Sequence, residues 1–153
     1  MSASKDIYFM NLALEEAKKA SDMNDTPIGA IIVRNNEVIA RAYNRKELDN
    51  IATYHAEILA INQACQVLKT WHLEDCTLYT TVEPCMMCTG AIMQSRISRV
   101  VYGTNNASFG YLSKLNNSKI EIIGNILKND CSLILSNFFK KQRDGKKNYD
   151  ECK

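Results

Sequence analysis

Proline is nearly missing from these 153 residues, with only Pro27 and Pro84 present, and no internal repeat, low-complexity block or linker interrupts the chain. One compact domain follows, since this length suits a single continuous core. Long hydrophobic runs are missing too. After Lys5 and Asp6 the N-terminal stretch turns amphipathic, with nothing apolar long enough for a signal peptide or a membrane span, so a cytoplasmic location is expected. Charge of one sign is scarce: a formal net charge of +2 does not announce a nucleic-acid partner, although Lys140, Lys141, Arg143, Lys146 and Lys147 crowd the C-terminal end. Histidine is limited to His55 and His72. What is present, 46% apolar and 24% charged residues, matches a globular domain, with disorder expected only in a tail from about 144 to 153.

The patterning implies alternating helices and strands. Ile7, Met10, Leu14 and Ala17 recur at helical spacing, predicting a first helix that ends near Met23. The runs 28–33 and 38–42 flank Asn35-Asn36 and predict a hairpin. Residues 55–68 return to the helical period through Ile58, Ile61, Cys65 and Leu68. Strands are predicted at 77–82, 100–102 and 120–123, a helix beginning at Pro84 and running through Ile92 and Met93, and a closing helix from Cys131 to about Arg143. Such an order implies an α/β sheet of about five strands covered on both faces.

Six cysteines are present, and Cys65, Cys76 and Cys131, inside apolar runs, read as core thiols, while Cys152 lies in the polar tail. The pair in Pro84-Cys85-Met86-Met87-Cys88 is different, because close thiols in a cytoplasmic chain suggest a metal more than a disulfide. His55-Ala56-Glu57 supplies the remaining chemistry. One imidazole and two thiolates fill three corners of a zinc tetrahedron and leave the fourth for water, and the Glu57 carboxylate can move protons. Both motifs stand where loops enter helices, and a helix N-terminus favours the thiolate of Cys85. A redox pair or a structural site are the competing uses of Cys-x-x-Cys. A structural site would want a fourth ligand, and His72 beside Trp71 is expected to be a loop residue. Met86 and Met87 are expected to pack behind the metal. Asn44 can bond a base edge or cap a turn, and Phe138-Phe139 can stack on bases or bury a helix face.

These motifs, with Pro27-Ile28-Gly29-Ala30, Tyr43-Asn44-Arg45, Leu78 through Cys88, Ser95-Arg96-Ile97 and Val100 through Gly103, resemble the bacterial tRNA-specific adenosine deaminases of the cytidine-deaminase superfamily. The resemblance implies a three-layer α/β/α sandwich with a mixed sheet, Zn2+ held by His55, Cys85 and Cys88, and Glu57 as the catalytic proton carrier. It also implies a homodimer, deamination of the wobble adenosine of an arginine tRNA, and substrate contacts at Asn44, Pro84, Thr104, Asn106, Phe138 and Phe139, with the approach to the site lined from Thr104 to Phe109. Two departures stand out: Tyr54 replaces a small residue before the histidine, and the stretch 110–119 is several residues shorter than in typical members and lacks their Asn-His-Arg segment. Two rival readings accompany this one: a deaminase of a free base or nucleoside such as guanine or cytosine, which the shorter stretch favours, and a non-catalytic zinc-containing RNA-binding subunit, which an intact Glu57 opposes.

Overall fold

Alternation along the strands dictates the architecture. In β1 (Gly29–Arg34), Ala30 and Ile32 point to one side of the sheet and Ile31 and Val33 to the other, and all four are buried, so helices must cover both faces. The same holds for β3 (Cys76–Val82) and β4 (Arg99–Thr104), which are buried along their whole length. The computed structural model describes residues 3–115 and 119–151, the last six by backbone alone. It contains a five-stranded sheet of order β2-β1-β3-β4-β5, with β2 (Glu37–Tyr43) and β5 (Glu121–Ile123) at its edges. β2, β1 and β3 pair antiparallel, and β3, β4 and β5 pair parallel, which gives the mixed sheet and three-layer α/β/α sandwich expected.

One face is covered by α1 (Ala3–Asp22) and α5 (Lys128–Glu151), whose Met10, Ala13, Leu14 and Cys131 pack on Ile31, Val33, Tyr79 and Val101. The other carries α3 (Ala56–Leu68) and α4 (Met86–Gln94), packing Ala60, Ile61, Ala64 and Ile92 on Ala30, Ile32, Leu78 and Val100. A four-residue α2 (Lys46–Asp49) and a 3-10 turn at Leu112–Lys114 complete the described elements. Asn35 and Asn36 both take positive φ, 51° and 61°, as the tight hairpin between β1 and β2 requires. No described helix is long and apolar enough to cross a membrane.

Several expectations need adjustment. Met10, Leu14 and Ala17 are buried, but Ile7 is 42% exposed and Asp6 and Phe9 occupy the inner face instead. In α3 Ile61 is buried as expected, but the fully buried positions are Ala56, Ala60 and Ala64, while Ile58, Cys65 and Leu68 are half-buried: the residues facing the sheet most directly are small ones. Cys76 and Cys131 are buried as expected. Met86 is not packed behind the site; it is 67% exposed, because the inner face of α4 follows Cys88 and Ile92. Pro84 precedes the N-cap Cys85 and so lies just outside the helix. The closing helix begins at Lys128, and its backbone continues past Arg143 to Glu151, through most of the stretch read as a tail. Cys152 and the side chains of Lys146 and Lys147 lie outside the described residues.

Candidate active site

Two helix N-termini meet at one end of the sheet. His55 is the N-cap of α3 and Cys85 the N-cap of α4, both in extended backbone, and neither side chain caps its own helix. They turn inward, where Cys88, one turn into α4, is fully buried. His55 Nδ1 lies 3.5 Å from Cys88 Sγ and 3.7 Å from Cys85 Sγ, and the three donor atoms all fall within 4.8 Å of one another. A tetrahedral zinc with Zn–N near 2.05 Å and Zn–S near 2.3 Å places its nitrogen and sulfur ligands about 3.6 Å apart. The trio therefore has the spacing of a zinc site before any movement, and its donor set is the one zinc prefers. Among the described residues this is the one such cluster.

Electrostatics point the same way. A hydrogen bond from Cys88, with help from His55 and against burial, draws the Cys85 thiol down to about 3. That same hydrogen bond, together with burial and the nearby Glu57 charge, pushes the Cys88 thiol far up. One shared hydrogen bond thus drives the two thiols in opposite directions, and a dication seated among the three donors would favour the ionised form of both. His55 is shifted upward by its hydrogen bond with Cys85, opposed by burial and aided by the charge of Glu57. Glu57, 4% exposed, is raised chiefly by burial. Its Oε1 has no hydrogen-bond partner; among the described residues only Thr89 Oγ1 shares that condition. A buried, proton-seeking carboxylate with one unpartnered oxygen beside three metal-type donors is arranged for proton transfer.

Around this centre the other expected residues divide. Asn44 is buried at the end of β2, and its Nδ2 donates to Asp25 Oδ1 at 2.8 Å. The next residue, Arg45, donates its N–H to Tyr54 O, which ties this strand end to the segment entering α3. Pro84 O accepts the N–H of Tyr111 at 3.0 Å and of Leu112 at 3.4 Å, so its carbonyl holds the following loop. Thr104 is buried and its carbonyl accepts from Glu83 N–H; Asn106 is half-buried and organises the turn after β4. Phe138 is buried, facing a groove of about 650 Å³ between α1 and α5 that contains none of the donor trio, whereas Phe139 is 46% exposed. His72 is a loop residue, stacked on Trp71 and 3.0 Å from Glu74, far from being a ligand. Tyr54 is half-buried and its N–H donates to Ile51 O.

Two buried carboxylates escaped sequence reasoning. Asp25 accepts from Asn44, from Thr26 N–H and from the N–H groups of Glu47 and Leu48, and so fixes both Asn44 and the start of α2. Glu83 accepts from Asn105, Asn106 and Ser113. For Glu83 a signal existed: a charge wedged between an uncharged, β-branched-rich strand and Pro84 must find donors nearby.

Residues 3–143 match the family of MafB19-like deaminases. A tRNA-specific adenosine deaminase of Bacillus subtilis (strain 168) is 41% identical over 152 residues, 94% of each chain. The chain belongs to the tRNA-specific adenosine deaminase family. A solved structure concerned with A-to-I editing by tRNA:A34 deaminases at the wobble position of transfer RNA superposes with a TM-score of 0.79 at 35% identity, over 84% of this chain and 99% of that one. A guanine deaminase from Bacillus subtilis is 38% identical, over 67% of this chain and 69% of the other, with a TM-score of 0.64. The matched family model spans nearly the whole described sandwich, and the fold itself is shared with guanine deaminases, one from Nitrosomonas europaea superposing over 84% of this chain with a TM-score of 0.75 at 23% identity.

Proposed function

We propose that this chain catalyses the zinc-dependent hydrolytic deamination of adenosine to inosine at the wobble position of a tRNA anticodon, with an arginine tRNA as substrate, acting as a cytoplasmic homodimer. The observation that carries the reading is Glu57: a carboxylate buried with an unpartnered oxygen, two residues past a histidine whose Nδ1 stands 3.5 and 3.7 Å from two cysteine sulfurs. A binding subunit that needed only ligands would gain nothing from it.

His55 Nδ1, Cys85 Sγ and Cys88 Sγ would hold Zn2+, which when bound supplies Lewis acidity and an acidified water. Binding His55 through Nδ1 leaves its Nε2 to carry the proton. Glu57 takes a proton from the water as oxygen adds to C6 of adenine and delivers it to ring N1; it then carries the second proton from that oxygen to the exocyclic nitrogen. Ammonia departs and C6 retains oxygen as inosine. Asp25 fixes the Asn44 amide: an acceptor-only carboxylate must face the amide NH2, leaving the Asn44 carbonyl oxygen as the group that can meet the target nucleotide. On α5, exposed Phe139, Lys140, Lys141 and Arg143 offer stacking and phosphate contacts, while Phe138 beneath them secures the helix.

The test offers the zinc-loaded protein an anticodon stem-loop, adenosine, guanine and cytosine. Inosine should form in the stem-loop, with KM rising steeply with salt. Changing Lys140, Lys141 and Arg143 to Ala should raise KM about tenfold or more and flatten that salt dependence. Guanine or cytosine turnover with the stem-loop untouched refutes the proposal.

A further inference from the structure

Phe109 is 75% exposed, yet the backbone that carries it is fastened on every side. Asn106 Oδ1 accepts the N–H of Phe109 at 3.0 Å and of Ser108 at 3.3 Å, and Asn106 O accepts the N–H of Gly110 at 2.9 Å. Below this turn lies Glu83, 3% exposed: its Oε1 accepts from Asn105 Nδ2 at 3.3 Å and Asn106 N–H at 3.4 Å, and its Oε2 from Ser113 N–H at 2.9 Å. Gly110 presses so closely on Glu83 that a Cβ there would overlap the carboxylate, and its backbone bridges that of Cys85. One residue thus separates Phe109 from a direct tie to a metal-ligand candidate.

A lone apolar side chain on a surface needs no explanation. An aromatic at the apex of a loop pinned to a buried carboxylate is a different object: the backbone that carries it is preset next to the Cys85 strand pairing, and little backbone freedom remains to be lost when something lies on the ring. Nucleobases fit such a face regardless of identity, because each has a π-surface. We propose that Phe109 is the stacking platform for the nucleobase adjoining the target adenosine in RNA, and that Glu83 is the positioning residue that holds it there. This rests on the RNA reading of the site, since a free base brings no neighbour to stack.

The experiment uses zinc-loaded, full-length protein and anticodon stem-loops that are intact or abasic on either side of the target. Phe109→Ala should raise KM for the intact stem-loop about 5- to 100-fold, more than it lowers kcat, and Phe109→Trp should restore it. An abasic neighbour on one side should raise KM for the wild type and leave Phe109→Ala nearly indifferent, the non-additivity of a shared contact. Glu83→Gln should raise KM in the wild-type background and have little effect on top of Phe109→Ala. A Phe109→Ala enzyme with wild-type KM overturns the inference, whether or not its dimerisation changes; so do penalties that multiply at both neighbours. Equal effects of Glu83→Gln in the two backgrounds overturn its positioning role. Failure of the wild type on every stem-loop refutes the proposed function itself, whereas an active wild type with an indifferent Phe109→Ala refutes the stacking alone.

Discussion

At the scale of single residues, the proposed mechanism assigns holding a metal and moving a proton to different side chains, and substitutions should separate them. Cys88 is fully buried and one of three donors, so Cys88→Ala is expected to lose most bound zinc and to unfold at a lower temperature, metal-binding energy being folding energy as well. Elemental analysis and thermal denaturation check both halves. Glu57 lies outside the donor trio. Glu57→Gln should therefore keep zinc and fold while turnover falls by about 10² to 10⁴ or more, read as inosine formed per bound metal. Zinc lost in parallel with activity would place Glu57 among the ligands. The gathering of His55, Cys85 and Cys88 was legible in the sequence because two short spacings encode it; the partners of Asp25 and Glu83 were hidden because, Thr26 aside, they lie 19 to 30 residues away and are largely backbone N–H groups, which no side-chain pattern advertises.

Elements place those residues through close contacts that tolerate no added bulk. Gly29 lies against the backbone of α1, where a Cβ would collide with Ala13 O and sit 2.5 Å from Ala17 N. Gly29→Ala should consequently force α1 off the sheet and destabilise the protein by about 2 kcal/mol or more, measured by urea denaturation, although the φ at this position is ordinary for any residue. The same close packing explains which parts of the helices were readable. Strand positions and the Asn35-Asn36 turn could be read from short apolar, β-branched runs and turn chemistry, since both are local. The buried faces of α1 and α3 could not be read fully, because the period is local but its phase is set by the sheet. Beneath α3 the sheet admits Ala56, Ala60 and Ala64 and leaves Ile58 half-outside, against a ranking by hydrophobicity alone.

Across the whole molecule, one polar network crosses the apolar core. Arg99 on β4 donates to both oxygens of Asp6 on α1, at 3.0 and 2.8 Å, Tyr79 on β3 donates to Asp6 at 2.7 Å, and Glu121 on β5 stands 3.3 Å from Arg99 Nε. Burial opposes ionisation of Asp6, but the hydrogen bonds from Arg99 and Tyr79 and the charge of Arg99 outweigh it and hold the carboxyl below the usual carboxylate range. The stabilisation from this group is accordingly complete above the unfolded-state value near pH 3.9 and is lost as pH falls through the lower folded-state value. Asp6→Asn should cost about 3 kcal/mol at neutral pH, because it leaves the buried Arg99 with exposed Glu121 as its one remaining carboxylate partner in the network, and the gap between wild type and variant should close as pH drops below about 4. Denaturation series at several pH values test both; a gap that stays constant into acid would remove Asp6 from the network.

The two ends of the Asp6–Arg99 pair are 93 residues apart in sequence. On the ribosome, the first helix emerges long before the fourth strand exists, and at about 5 to 20 residues per second it waits several seconds or more for its partner. Until then its charged Asp6 faces a gap where the guanidinium belongs, and its apolar stripe has only β1 and β3 to rest on. The nascent N-terminal half is in that interval without its buried counter-charge, and the bond between Asp6 and Arg99 closes only after the Cys85–Cys88 segment has already left the tunnel.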